Sequence, residues 1–287
     1  MTIKTILTGA SGGTAGEGTI DLALTLARRF SAHLEAIHVR TDMREILTAT
    51  DGGDFMGASL TGQWIDQMEQ EIATNAAKVK QAFAAATLRH DVPPGKQGAP
   101  GPSVSFNDIT GLSSIMLPER ARFFDLVVLG RSERAIDRAH SDVIEQTLLH
   151  SGRPVLLAPA TMSKTFGEVI AVGWDGSPQA VRAVTASMPF LEQARRALVI
   201  TIGDTTGSDP AALVAYLARH EIAATHRFVA PVGGVGPGTQ LLARAREEGA
   251  ELLVMGGYGH APWREFLFGG ATQQAIGQGL LPLFLVH

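Results

Sequence analysis

Three short segments carry residues whose types and spacing suit chemistry. Asp175-Gly176-Ser177-Pro178 follows the apolar run Val169–Gly173; Gly256, Gly259 and His260 follow the apolar run Leu252–Met255; and Gly269-Gly270-Ala271-Thr272 precedes a helical pattern. A carboxylate beyond a strand can accept a hydrogen bond from an exocyclic amino group such as that of adenine. Glycines let backbone N–H groups approach anionic oxygens, and a helix that starts beside them adds its partial positive charge. Together these features suit a base linked to phosphates. Each also has a plainer account. Asp175-Gly176-Ser177-Pro178 reads equally as a turn whose Ser177 caps a helix with Pro178 in its first position. Glycines beside a strand end are ordinary turn residues, and His260 reads as a solvated loop residue. Trp263, Phe266 and Phe268 are expected to pack the loop against the domain.

Other motifs are weaker. Gly9-Ala10-Ser11-Gly12-Gly13 matches the spacing of a hydrolase nucleophile elbow. That elbow needs a sheet built upstream, however, and only one strand precedes Ser11. Gly13 and Gly18-Thr19 imitate a phosphate-binding loop, but Gly18 stands where the lysine belongs. The nine histidines are scattered with no metal-binding spacing, so no metal site is named. With no cysteine, thiol redox chemistry, thiolate catalysis and disulfides are excluded.

The formal net charge of −4 and the absence of a Lys/Arg block argue against nucleic acid and anionic membranes as partners. No apolar run approaches the ~20 residues of a spanning helix. The N-terminus lacks the pattern of a signal peptide, and a cytoplasmic location is the expectation. A 45% hydrophobic content over 287 residues provides cores for two domains of ordinary size.

The elements that position these residues come in two sets. Asp125–Gly130 aligns with Glu251–Gly256 at an offset of 126 residues, and each copy ends in a helix, a proline and a short apolar strand. β-Branched runs alternating with helical patterns imply βαβ units and a parallel sheet covered on both faces. Strands are expected near 3–8, 34–39, 103–107, 126–130 and 154–158, then 168–173, 197–202, 223–229, 252–256 and 283–286. Helices are expected at 19–30 and 62–88 and near 178–190, 209–220, 238–248 and 271–278. Domains 1-160 and 166-287 follow, joined by a polar linker. Residues 41–60 form an insertion, and the glycine-rich run 233–238 reads as a loop.

The spacing Gly256-x2-Gly259-x9-Gly269 between the last two strands, with Val169–Ser177 as a first strand and its loop, resembles the universal stress protein family. The resemblance covers essentially the whole chain. It implies an α/β fold of two tandem doubly wound five-stranded parallel-sheet domains, adenine-nucleotide α-hydrolase-like. It implies ATP, with or without Mg2+, or another adenine nucleotide as ligand. Asp175, with Gly176 and Ser177 beside it, meets the adenine, the backbone of Ile202 contacts the base, and Gly256, Gly259, Gly269 and Gly270 surround ribose and phosphates. The family's ATP binders carry Ser or Thr after the third glycine; here Gly270 stands there, and Thr272 follows two residues on. In domain 1 the equivalent positions are Ser11, Glu133, Ser141 and Asp142. Two carboxylates beside a triphosphate repel it, by ~1 kcal/mol or more each, so this domain is expected not to bind ATP in the family's manner and to be either a structural partner or a site for another ligand.

Family members associate through their last strands, which implies an internal pseudo-dimer pairing Val155–Leu157 with Leu283–Leu285; a homodimer stays open. The function implied is a stress-response protein in which a bound adenine nucleotide regulates contact with an unidentified protein partner, with slow ATP hydrolysis at most. The alternative is a nucleotide-free interaction module of the same fold.

Overall fold

The computed structural model describes residues 2–11, 14–40, 58–96, 98, 100–131, 138–159, 166–203, 209–257 and 281–287. Five strands come from the first half: β1 (Thr5–Gly9), β2 (His33–Arg40), β3 (Ser103–Thr110), β4 (Leu126–Gly130) and β5 (Val155–Ala158). Five come from the second: β6 (Val169–Gly173), β7 (Arg196–Ile202), β8 (Ala224–Val229), β9 (Leu252–Gly256) and β10 (Leu283–Val286). The helices are α1 (Thr14–Phe30), α2 (Ala58–Arg89), α3 (Ser113–Ala121), α4 (Arg138–His150), α5 (Pro178–Leu191), α6 (Pro210–Arg219) and α7 (Pro237–Glu247).

All ten strands lie in one sheet, ordered β3-β2-β1-β4-β5-β10-β9-β6-β7-β8. Within each half the pairing is parallel; at the seam β5 and β10 run antiparallel, with Leu157, Leu156 and Val155 opposite Leu283, Phe284 and Leu285. This is the pairing expected between the two last strands. It covers two apolar edges that would otherwise invite association. A corresponding contact recurs in the two halves: Asp125 N–H donates to Thr5 O at 3.0 Å and Glu251 N–H to Val169 O at 2.8 Å.

Central strands are largely apolar because both faces are covered: β6 is wholly buried, as are β5 and most of β7. The edge strand β8 instead alternates between half-buried and exposed residues. Two cores result, one under α1, α2, α5 and α6 and the other under α3, α4 and α7. The first contains an aromatic cluster across the seam, with Phe190 making edge-on contacts to Phe30 at 5.0 Å, Phe284 at 5.6 Å and Phe166 at 6.2 Å.

Two expectations need correction. Helix α1 starts at Thr14 rather than Thr19, because Gly16 tolerates the close approach of Ser11, whose carbonyl a Cβ at position 16 would strike. Gly18 and Thr19 therefore lie within a helix and form no loop. Helix α2 starts at Ala58, inside the expected 41–60 insertion; residues 41–57, like the linker 160–165 and the helix expected near 271–278, lie outside the described residues. Among the described residues no helix is long and apolar enough to cross a membrane.

Candidate nucleotide site

The chain leaves β6 at Gly173, where an added Cβ would lie 2.5 Å from Leu241 Cδ2, so this glycine lets α7 close on the sheet. Trp174 N–H donates to Ile200 O at 2.9 Å, which holds the exit beside β7. The following turn is locally determined. Gly176 takes φ +75°, which glycine adopts without strain. Ser177 N–H donates to Asp175 Oδ1 at 2.9 Å, and Ser177 Oγ accepts from Ala180 N–H at 3.2 Å as the cap of α5. Asp175 is exposed, and its Oδ2 has no partner among the described residues.

Beside this turn, β9 ends at Gly256. A Cβ there would stand 2.7 Å from Gln179 C and 2.8 Å from Ala180 N, so only glycine allows the end of β9 to touch the first turn of α5. Gly257 N–H donates to Val286 O at 2.7 Å. The sheet order places β6 next to β9 while their connections depart in opposite directions, which makes this crevice the switch point where ligands of such sheets bind. The structure thus brings Asp175, Gly176, Ser177 and Gly256 together. Ile202 closes β7 one strand away, half-buried on the α7 face. Gly259, His260, Gly269, Gly270 and Thr272 lie outside the described residues, as do Trp263, Phe266 and Phe268.

The run 233–238 is held by Gln240, whose Oε1 accepts from Val232 N–H at 3.0 Å and whose Nε2 donates to Val235 O at 2.8 Å. Its backbone is thereby engaged in the loop's own structure. Among the described residues no group of three or more His, Asp or Glu side chains could hold a metal ion.

The matching crevice of the first half has a different lining. Ser11 is exposed; Ser141 and Asp142 lie in the first turns of α4, half-buried and exposed; Glu133 lies outside the described residues. Buried His38 donates from Nδ1 to Ala10 O at 2.8 Å, since a carbonyl only accepts. Arg131, directly after β4, is 8% exposed; Nη2 donates to Leu281 O, while Nε and Nη1 have no partner among the described residues. Burial pushes its guanidinium down to about 10. Neither residue was singled out from the sequence. Arg131 was legible only as the residue at position 257 less the 126-residue offset, where the second half has glycine.

Sequence reasoning also missed a groove of about 330 Å3 between α5 and α6, lined by Trp174, Val184, Leu213 and Tyr216 among others. It follows from a difference between halves: α1 and α2 pack on each other, whereas α6 has 10 residues against 32 in α2.

No family model matches the chain, and no curated protein matches it. Solved structures do. A universal stress protein from Archaeoglobus fulgidus superposes with a TM-score of 0.67 at 15% identity, covering 99% of this chain and 96% of that one. A protein of unknown function from Pseudomonas aeruginosa PAO1 superposes with a TM-score of 0.52 at 14% identity, covering 99% and 92%. The 3-2-1-4-5 strand order of each half, the antiparallel seam and this full-length superposition agree: the chain carries the universal stress protein fold from end to end.

Proposed function

We propose that the chain is a tandem universal stress protein, with domains 1-160 and 166-287, that binds ATP or a related adenine nucleotide in the second domain as a regulatory ligand. The observation that carries this reading is the meeting of three features at one switch point: the open carboxylate of Asp175, the N-terminus of α5 and the glycine end of β9. Asp175 Oδ2 is available to the base, and the glycine pair leads into the segment holding Gly259, His260, Gly269, Gly270 and Thr272. In the first domain the corresponding place holds Ser11 and Asp142, which supports a structural role there. Among the described residues no general base or arginine finger is identified, and in this reading the nucleotide acts as a switch read by a protein partner.

Titration of ATP and magnesium into the intact protein, followed calorimetrically, tests this after a denatured sample has been checked for carried-over nucleotide. Saturation near one site per chain, lost in Asp175→Ala and in Gly259→Trp, is the expected outcome. Binding that survives both substitutions would place the nucleotide elsewhere.

A specific observation favours a second reading, a nucleotide-free interaction module. Phe228 on the edge strand β8 is 61% exposed, and Val232 in the next loop is 56% exposed. Gly256 and Ser177 meanwhile have full structural accounts in packing and capping. Absence of both titrated and co-purified nucleotide would select this reading.

A further inference from the structure

We infer that the outer edge of β8 is a docking strand for β8 of a second copy of this chain, paired antiparallel about a two-fold axis at His226. The register with β7 shows which backbone groups are free to pair. Ala197 N–H donates to Ala223 O at 2.8 Å and Gly203 N–H to Val229 O at 3.0 Å, so in the parallel register between them Thr225, Arg227 and Val229 turn their backbone groups to β7. Ala224, His226 and Phe228 turn theirs outward, where β8 ends the sheet. His226 O accepts from Arg227 Nη1 at 3.3 Å, and among the described residues no strand pairs on that side. The opposite edge of the sheet is built differently. There the connection 90–102 lies against the start of β3, with Val104 N–H donating to Pro93 O at 3.0 Å and Gly95 N–H to Val104 O at 2.9 Å. The equivalent connection in the second half, 220–223, is too short to shield β8 in this way.

The strand is complementary to itself. With His226 opposite the second copy's His226, Ala224 and Phe228 face that copy's Phe228 and Ala224, and each such pair exchanges two backbone hydrogen bonds. A two-fold axis normal to the sheet keeps like faces together. Phe228, 61% exposed on the same face as Ala224, thus covers the second copy's half-buried Ala224, the smallest side chain on the strand. On the other face Arg227 stands opposite Thr225, and the two copies' Arg227 are diagonal neighbours. Each already faces Glu248 at 3.5 Å, which offsets their repulsion. His226 lies 3.3 Å from Thr201 Oγ1, and burial together with Arg227 lowers its pKa, so two uncharged rings meet at the axis at neutral pH. An open strand edge that carries an aromatic side chain invites pairing, and the two-fold closes the contact at two copies. Strands of this length bury less than a standard interface, so the association is weak and reversible. The inference rests on neither functional reading above, since β8 supplies none of the residues gathered at Asp175 and Gly256.

Sedimentation of the full chain without nucleotide, over about a hundredfold range of concentration, reads the association, and a single introduced cysteine reads its register. The unaltered protein should pass from monomer to dimer as concentration rises. Phe228→Lys should weaken that dimer about tenfold, whereas Phe123→Lys, at a side chain 69% exposed in the first half, should leave it unchanged. The chain has no cysteine, so His226→Cys carries one thiol per copy. Opposed residues of a hydrogen-bonded antiparallel pair have Cα atoms about 5.5 Å apart, within the span of a disulfide. Two copies of position 224 stand about 14 Å apart in the same register. Under mild oxidation His226→Cys should therefore form a covalent dimer about tenfold faster than Ala224→Cys. A chain that stays monomeric throughout, a dimer that Phe228→Lys leaves unchanged, or equal crosslinking at positions 224 and 226 would each overturn the inference. Should His226→Cys fail to fold, a mixture of Thr225→Cys and Arg227→Cys replaces it, since these residues oppose each other in the same register, and absence of the mixed covalent dimer overturns the inference equally.

Discussion

His33 is buried on β2 with Nδ1 2.9 Å from Ser103 Oγ and Nε2 3.0 Å from Ser105 Oγ. Its pKa is lowered from 6.5, burial outweighing the opposing pull of Glu35, which is itself held by Arg120 at 2.6 and 2.7 Å. The native state therefore binds fewer protons than the unfolded chain just below pH 6.5, so stability is full above that pH and falls as pH drops toward the lowered value. His226, lowered by burial and Arg227, acts in the same direction. Urea unfolding between pH 7.5 and 5.5 should show this loss, and His33→Gln should flatten the slope; an equal slope in the variant would remove His33 as its source. Arg131, Asp175 and Gly256 show the same rule at other positions: what a side chain can do depends on which partner the fold leaves it.

Each described helix of the second half begins with proline after a cap position: Ser177-Pro178, Asp209-Pro210 and Gly236-Pro237. Proline lacks only an N–H that the first turn leaves unpaired, and at Ser177 and Asp209 the preceding side chain satisfies the next donors. Asp209 Oδ1 accepts from Ala211 N–H at 3.0 Å and Ala212 N–H at 3.1 Å. Ser177→Ala should cost about 1 kcal/mol of stability, measured by denaturant unfolding, with nucleotide affinity reduced if α5 faces the phosphates. A cost without an affinity change would confine Ser177 to capping. These starts were legible because they are set by neighbouring residues. The start of α1 was not, because Gly16 yields to a contact with Ser11 that spacing does not reveal. The unequal lengths of α2 and α6 were legible, as 62–88 and 209–220, but the groove beside the shorter helix was not.

At the level of the whole molecule, Phe190 joins helices and strands from both halves. It is fully buried against Phe30, Phe166 and Phe284, with the Arg29 guanidinium 5.9 Å above its ring. Phe190→Ala should cost about 3–5 kcal/mol. Because that contact spans the seam, the loss should appear as lower stability of both halves in fluorescence and amide-exchange melts; destabilisation of one half alone would mean that the seam does not couple them. Local periodicity, capping and self-similarity along the chain sufficed for the βα alternation, the repeat at 126 residues and the turn at Asp175–Pro178, whereas the pairing of the two last strands was implied only by the family resemblance. Only the tertiary structure decided that Gly256 is required by α5, that His38 and Arg131 are buried, and that the first half reaches Gly257 and Leu281 in the second. Those facts arise where residues 28 to 150 positions apart meet, and periodicity along one chain carries no record of distance across a sheet.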